Sequence, residues 1–194
     1  MRAAVTEARG GVDRIVVREL PKPVPGAGQV LLRVRAASMN PLDCKLREGP
    51  YRLLFRVKPP FVLGFDVAGE VEATGPGVTR LRPGDAVFGE LKRPGSHAEY
   101  AVAGEELLLP KPTRLSFEEA AAVPAAGMSA LQLLRDARLR EGQRVLLNGA
   151  GGGIGRAGRE PAGLAPAGEL RPAGRVGPRR GGGIRRVPVG AGGV

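Results

Sequence analysis

The sequence predicts a mainly β domain, a small barrel or sandwich, followed by the first αβ elements of a parallel-sheet domain. Three observations carry this. Short runs of alternating apolar and polar residues, divided by Gly/Pro turns, fill the first hundred residues. At Ser116 the spacing becomes helical. A short apolar run, RVLLN, then meets a glycine-rich turn, GAGGGIG.

The elements follow in order. Ala3–Glu7 and Arg14–Glu19 read as strands. In Gln29–Ala36, Val30, Leu32, Val34 and Ala36 share one face, and Arg33 and Arg35 take the other. Val67–Ala73 repeats this, with Val67, Gly69, Val71 and Ala73 inward and Glu70 and Glu72 outward. GPG at 75–77 and RPGD at 82–85 are turns. Ala86–Phe88 and Ala98–Val102 are further strands. Ser116 with Glu119 makes a capping box that starts a helix. Pro124 breaks or kinks that helix, and Leu131, Leu133 and Leu134 continue it. RVLLN has the apolar continuity of a buried parallel strand.

Composition bounds the function. The chain has 194 residues and a net charge of +11. Over 156–194, however, 30 of 39 residues are Gly, Arg, Ala or Pro, and this segment alone carries +6. The basic balance is therefore largely a property of the tail and argues poorly for a nucleic-acid-binding body. Cys44 is the single cysteine, so an intrachain disulfide is excluded, and one Cys with one His cannot supply a zinc site. The N-terminal stretch has no apolar run, so no membrane segment is expected and the expected location is cytoplasmic.

A glycine-rich turn straight after a buried strand is the entry to a Rossmann unit, where the missing side chains let the backbone approach a pyrophosphate. The spacing here is Gly149-x-x-Gly152-x-x-Gly155 rather than GxGxxG. Taken alone, any glycine-rich turn produces such a pattern.

The context adds to it. SMNPLDCKLREG, PPFVLGFDVAGEVEATGPGVTRLRPGDAVFG, HAEYAV, LSFEEAAAVPAAGMSALQLL and GQRVLLNGAGGGIG stand in this order. In residues and spacing the chain resembles the medium-chain dehydrogenases/reductases, in their zinc-free, quinone oxidoreductase-like branch, over residues 1–155. The resemblance implies a GroES-like barrel of the alcohol dehydrogenase N-terminal type at 1–115. It implies the start of a Rossmann nucleotide-binding domain at 116–155. It also implies hydride transfer from NADPH or NADH to a quinone or enone. Asn40 would be a hydrogen-bonding group near the nicotinamide and the substrate oxygen, and Asp43 would shape its loop. Ser129 would contact the nicotinamide end, and Gly149, Gly152 and Gly155 would face the pyrophosphate. Zinc members of the superfamily place Cys and Gly-His-Glu where this chain has Asn40 and Gly64-Phe65-Asp66, so no zinc is expected. Each assignment has a plainer alternative. Asn40-Pro41 is also an ordinary turn, Asp43 also a helix cap, and Ser129 also an ordinary helix residue. His97 reads as a surface strand residue and Cys44 as a small buried side chain. Tyr51 follows the Asn40 loop closely enough to be a candidate substrate contact.

A Rossmann unit needs a helix at about 154–167. Gly158, Pro161, Gly163, Pro166 and Gly168 oppose it by roughly 9 kcal/mol in summed propensity. The expectation is therefore a truncated Rossmann domain, a disordered tail at 156–194, an exposed edge on RVLLN and impaired catalysis. Family members are often homodimers through the Rossmann edge, which this reading lacks. Arg, Gly, Ala and Pro all have codons made of G and C alone, which suggests a reading frame lost after Gly155 or Arg156. The rival readings are a genuine basic arm that binds polyanions, and a barrel remnant without catalysis. The tail has no aromatic residue for base stacking, which argues against nucleic acid.

Overall fold

The computed structural model describes residues 1–49, 51, 56–138 and 145–159, together with the backbone of 185–186. They fall into two compact units, Met1–Ala125 and Ala126–Val194.

Unit one is built from eight strands: β1 (Arg2–Thr6), β2 (Ile15–Glu19), β3 (Gln29–Ala37), β4 (Phe61–Val62), β5 (Asp66–Thr74), β6 (Ala86–Glu90), β7 (Tyr100–Gly104) and β8 (Leu108–Pro110). They form an antiparallel sheet ordered β7-β3-β5-β6-β8 and a smaller one ordered β2-β1-β4. A bridge between Ala3 and Ala98 joins the two. The alternation seen in the sequence is the cause: Val30, Leu32, Val67, Val71 and Val87 turn to one side and meet Ala101, Ala103 and Leu108 in one core. Leu32 is fully buried, and at about 25 cal/mol per Å² such burial supplies most of the sheet's stabilisation. β3 and β5 slip register at Leu31/Leu32 and again at Val34/Ala36. These bulges bend the long strands, as a closing sheet requires.

The two turns read from the sequence are present, with Gly77 and Gly84 both at positive φ. Two strands begin later than expected, Ile15 for Arg14 and Tyr100 for Ala98, and the short β4 and β8 were not anticipated. A helix, α1 (Pro41–Glu48), follows β3 and places Leu42 and Leu46 against Val57, Phe61 and Phe65. Ser116 caps α2 (Phe117–Ala121) as the capping box requires: its Oγ accepts from the Glu119 N–H at 3.1 Å, and the Glu119 carboxylate accepts from the Ser116 N–H at 2.8 Å. Pro124 ends that helix by starting another, α3 (Pro124–Asp136).

From Ala126 onward the described elements are the rest of α3, the two-residue strand β9 (Val145–Leu146), the glycine turn, α4 (Gly153–Arg159) and β10 (Arg185–Arg186). Here the structure corrects one expectation and qualifies another. A helix does follow the glycines, for seven residues. Its Gly158, a helix breaker by propensity, is buried within that helix, and a Cβ there would stand 3.6 Å from the Ala130 Cβ, an ordinary contact. The same spacing holds between Gly153 and Ala126, so α3 and α4 approach along small residues. The second concerns β9, in which Val145 and Leu146 pair in parallel with Arg185–Arg186 on one side only, while Leu146 stays 59% exposed, as an edge residue of RVLLN would be. Pro161, Gly163, Pro166 and Gly168 lie outside the described residues, as does nearly all of the tail.

Candidate functional site

Two groups of candidate residues stand in the two units. The first is the junction of β3 and α1. β3 ends at Ala37, and residues 38–40 turn the chain into α1, whose first residue is Pro41. Proline at this position has its φ already set and loses no N–H that the helix would use. Asn40 occupies the N-cap, with extended backbone, and Asp43 stands at N3. The Asp43 carboxylate accepts from the Asn40 N–H at 2.7 Å, while the Asp43 N–H bonds to the Asn40 carbonyl. Asn40 turns its side chain inward: Nδ2 donates to the Asp66 carboxylate at 2.9 Å and to Ser38 Oγ at 3.2 Å.

Asp66 is the hub of this group. It is fully buried at the start of β5. It accepts from Ser38 Oγ at 2.9 Å, from Asn40 Nδ2, and from the Ala125 N–H in the first turn of α3. A helix N-terminus favours a carboxylate at that point. With Asp66 as acceptor and Ser38 Oγ donating to it, Ser38 Oγ must accept from Asn40. Both Asn40 N–H bonds are then engaged, and the carbonyl oxygen stands toward the Asp43 N–H as the acceptor of the capping box.

Asp43 is 2% exposed; its Oδ1 makes no well-formed hydrogen bond among the described residues, the Gly64 N–H being near the carboxylate but not in bonding geometry. Burial pushes its pKa above the ordinary 3.8; the Asn40 N–H, His97 and the Gly64 N–H pull it back, and Asp66 adds to the rise. Glu90 faces Asp66 across the β5–β6 ladder, and its carboxyl is raised by burial, then by Asp66 and Asp43.

The histidine corrects the sequence reading. His97 is no surface strand residue: it is half-buried, lies before β7, and bonds through Nε2 to the Ser38 carbonyl at 3.0 Å. Its backbone is fixed at both sides, the N–H to the Leu63 carbonyl and the carbonyl to the Ala4 N–H. Gly64 makes room for it. The Gly64 φ is +88°, and a Cβ there would run into Ser96 Oγ and the His97 ring. The signal in the sequence was a lone histidine 33 residues after Gly64, which nothing local connects to Ser38. Asp66 was read only as a departure from a zinc ligand. Tyr51 is exposed, with the Lys45 ammonium 5.5 Å from its ring centre, and Cys44 is half-buried on α1.

The second group is the turn between β9 and α4. Gly149 has φ +77°, a conformation that suits glycine. The Gly152 N–H bonds back to the Gly149 carbonyl at 3.0 Å. Gly155 is required by packing, because a Cβ on it would collide with the Gly149 carbonyl and stand 2.7 Å from the Ala150 Cα. Gly152 is not so required; its nearest atom would be the Gly149 carbonyl at 3.5 Å, an ordinary contact. Around Gly149 and Gly151 a Cβ would meet nothing within 4 Å. That openness, which the turns at Gly28, Gly77 and Gly84 share, admits a dinucleotide pyrophosphate beside the start of α4, so the glycines are compatible with such a cofactor. Ser129 is half-buried on α3, one residue before the Ala130 that packs on Gly158.

Among the described residues no three His, Cys, Asp or Glu side chains stand together so as to hold a metal ion, and no helix is long and apolar enough to cross a membrane.

Known proteins resemble this chain in sequence and fold. Residues 26–131 match the family model of the alcohol dehydrogenase GroES-like domain. The chain is 38% identical over 154 residues to a chloroplastic quinone-oxidoreductase homolog of Spinacia oleracea, covering 75% of this chain and 47% of that one. It is 35% identical to the quinone oxidoreductase of Homo sapiens, covering 81% and 48%. The solved quinone oxidoreductase of Coxiella burnetii superposes with a TM-score of 0.78 at 33% identity, covering 84% of this chain and 53% of that one. An alcohol dehydrogenase superfamily protein from Novosphingobium aromaticivorans gives 0.78 at 40% identity, covering 84% and 50%. The chain thus spans about half the length of the curated relatives it matches.

Proposed function

This chain belongs to the alcohol dehydrogenase GroES-like family, among its quinone oxidoreductases, and on that footing we propose that it serves hydride transfer from NADPH or NADH to a quinone or enone. The observation that carries the proposal is the glycine turn: Gly149 and Gly151 leave open space over backbone amides where α4 begins. When bound, the nicotinamide cofactor supplies the hydride, and no zinc takes part. Gly149 and Gly152 let the backbone approach the pyrophosphate, and Gly155 holds the turn on the helix. Ser129 is assigned to the nicotinamide end. Asn40 is assigned to orient a bound group; with both of its N–H bonds taken by Asp66 and Ser38, what it offers is its carbonyl oxygen, shared with the Asp43 N–H of the capping box. A group that donates a hydrogen bond, such as an amide or a hydroxyl, suits it better than a bare substrate oxygen. Asp43 shapes the loop through the Asn40 N–H.

A second reading, a barrel that folds but does not catalyse, is favoured by one observation. Every bond of the Asn40 group closes within Met1–Ala125. Titration calorimetry of the full chain with NADPH and with NADH separates the two. Binding in the micromolar range, followed by reduction of 1,4-benzoquinone, supports the enzyme. A folded β signal by circular dichroism with no heat of binding leaves the barrel alone.

A further inference from the structure

We propose that His97 is a positioning residue, which sets the Asn40 amide by holding the Ser38 carbonyl. Residues 38–40 hang from three anchors. Asp66 takes Ser38 Oγ and Asn40 Nδ2, Asp43 takes the Asn40 N–H, and His97 donates Nε2–H to the Ser38 carbonyl. The Asp66 and Asp43 carboxylates accept from the donors of the turn, and the Asp43 backbone N–H donates to the Asn40 carbonyl. His97 is the side-chain donor among them, and it grips Ser38, whose hydroxyl, with Asp66, also supports Asn40 Nδ2. A carbonyl accepts from Nε2 only when that nitrogen carries the hydrogen, so this bond also fixes the tautomer and leaves Nδ1 bare in the neutral ring.

The imidazole is itself fixed before it acts. Its backbone is bonded to Leu63 and Ala4, and the bare Cα of Gly64 makes the floor beneath the ring. No other polar contact of the His97 ring competes for Nε2 among the described residues. An ordinary surface histidine has neither the socket nor a single directed bond into a turn that carries a functional amide. The catalytic part of this inference rests on the function proposed above; the structural part does not.

The test uses the full chain, uniformly labelled with ¹⁵N, and reads the two Asn40 Nδ2 protons by hydrogen exchange, assigned by their disappearance in Asn40→Asp. Three variants separate the donor from the bulk of the ring. His97→Gln places its amide nitrogen near the Nε2 position, His97→Asn stops near the Nδ1 position, and His97→Leu has no donor. The expected result is exchange about tenfold faster in His97→Leu and His97→Asn, with His97→Gln within about threefold of the parent. Equal protection in all four proteins overturns the proposal, and so does rescue by Asn as complete as by Gln. If His97→Leu does not fold, the Gln and Asn pair still decides. In protein that reduces benzoquinone with NADPH, His97→Asn should lower kcat and leave the KM for NADPH unchanged. A parent chain without reductase activity sinks the function reading while the exchange result stands or falls by itself.

Discussion

In Met1–Ala125 the candidate residues are side chains held by side chains. Asn40, Asp43, Ser38, His97 and Asp66 fix one another through side chains and the turn's own backbone, with Asp43 and Asp66 buried and the other three half-buried. In the unit from Ala126 the candidates, Ser129 apart, are side chains that are missing. Gly149, Gly152 and Gly155 offer backbone and space, and one positive φ and one close approach define them. The first kind of site is stiff and exacting; each polar atom must find its partner or its burial counts against the fold. The second kind tolerates much around it but nothing on it. The chain therefore carries two opposite kinds of candidate site, and they should fail differently under mutation.

The largest expected effect falls on the first. Asp66→Ala strands the Ser38 hydroxyl, the Asn40 amide and the Ala125 N–H in a buried place, and should cost the barrel about 3–5 kcal/mol. Urea unfolding followed by far-UV circular dichroism checks this, and a loss below about 1 kcal/mol would mean that the network does not hold the turn.

Next comes a pair in the glycine turn. Gly155→Val drives a side chain into the Gly149 carbonyl, and should destabilise the turn and α4 by about 1–3 kcal/mol while the barrel unfolds as before. Gly152→Ala has room in the fold. It should leave stability unchanged and weaken NADPH binding by about tenfold, or 1.4 kcal/mol, in titration calorimetry. Equal effects of both substitutions on stability would show that the three glycines have one structural role and no separate ligand-facing one.

The two regions were also legible in the sequence to different degrees. Gly149, Gly152 and Gly155 announced themselves, because a turn's chemistry lies within seven residues. So did the strands of the barrel, where Val30, Leu32, Val67 and Val71 mark the inner face by alternation alone. The Asn40 group was half legible. Asn40 and Asp43 are neighbours in the chain, and the family resemblance pointed to them. Asp66 and His97 are 26 and 57 residues from Asn40, and only the pairing of β5 with β3 and the bridge at Ala98 bring them back. Nothing local predicts such a contact. Gly158 misled for the converse reason: intrinsic propensity marks it as a helix breaker, yet it stands one residue from the end of α4, where a single glycine costs only about 1 kcal/mol. Pairing of Val145–Leu146 with Arg185–Arg186, forty residues on, was equally hidden.

Smaller effects sharpen the contrast between buried and exposed carboxylates inside the barrel. Asp43 binds its proton more tightly when folded, because burial raises its pKa. Its contribution to stability is therefore full at low pH and is lost as pH rises above about 3.9 through the raised folded value. Asp43→Asn keeps an oxygen to accept from the Asn40 N–H and removes the charge. Its unfolding free energy should lose that downward slope, gaining on the parent at pH 7 relative to pH 4. A parallel pair of pH profiles would show that Asp43 is not burdened by its charge.

Glu72 should do the reverse, and more weakly. It lies on the outer face of β5 between Lys22, at 2.5 Å, and Arg33, at 2.9 Å. These cations, Lys22 first, hold its carboxyl below the ordinary range. A lowered carboxylate stabilises the fold above its unfolded pKa and loses that stabilisation as pH falls through the folded value. Glu72→Gln should therefore cost a little at pH 7 and nothing near pH 2. Because all three side chains face solvent, the cost should shrink as salt is raised, whereas the Asp43→Asn gain should not. If the Glu72 effect persists in molar salt, the outer face of β5 is better shielded from water than its exposed arginine and lysine imply. The comparison then shifts from buried against exposed to paired against unpaired, with Asp43 Oδ1 as the unpaired case.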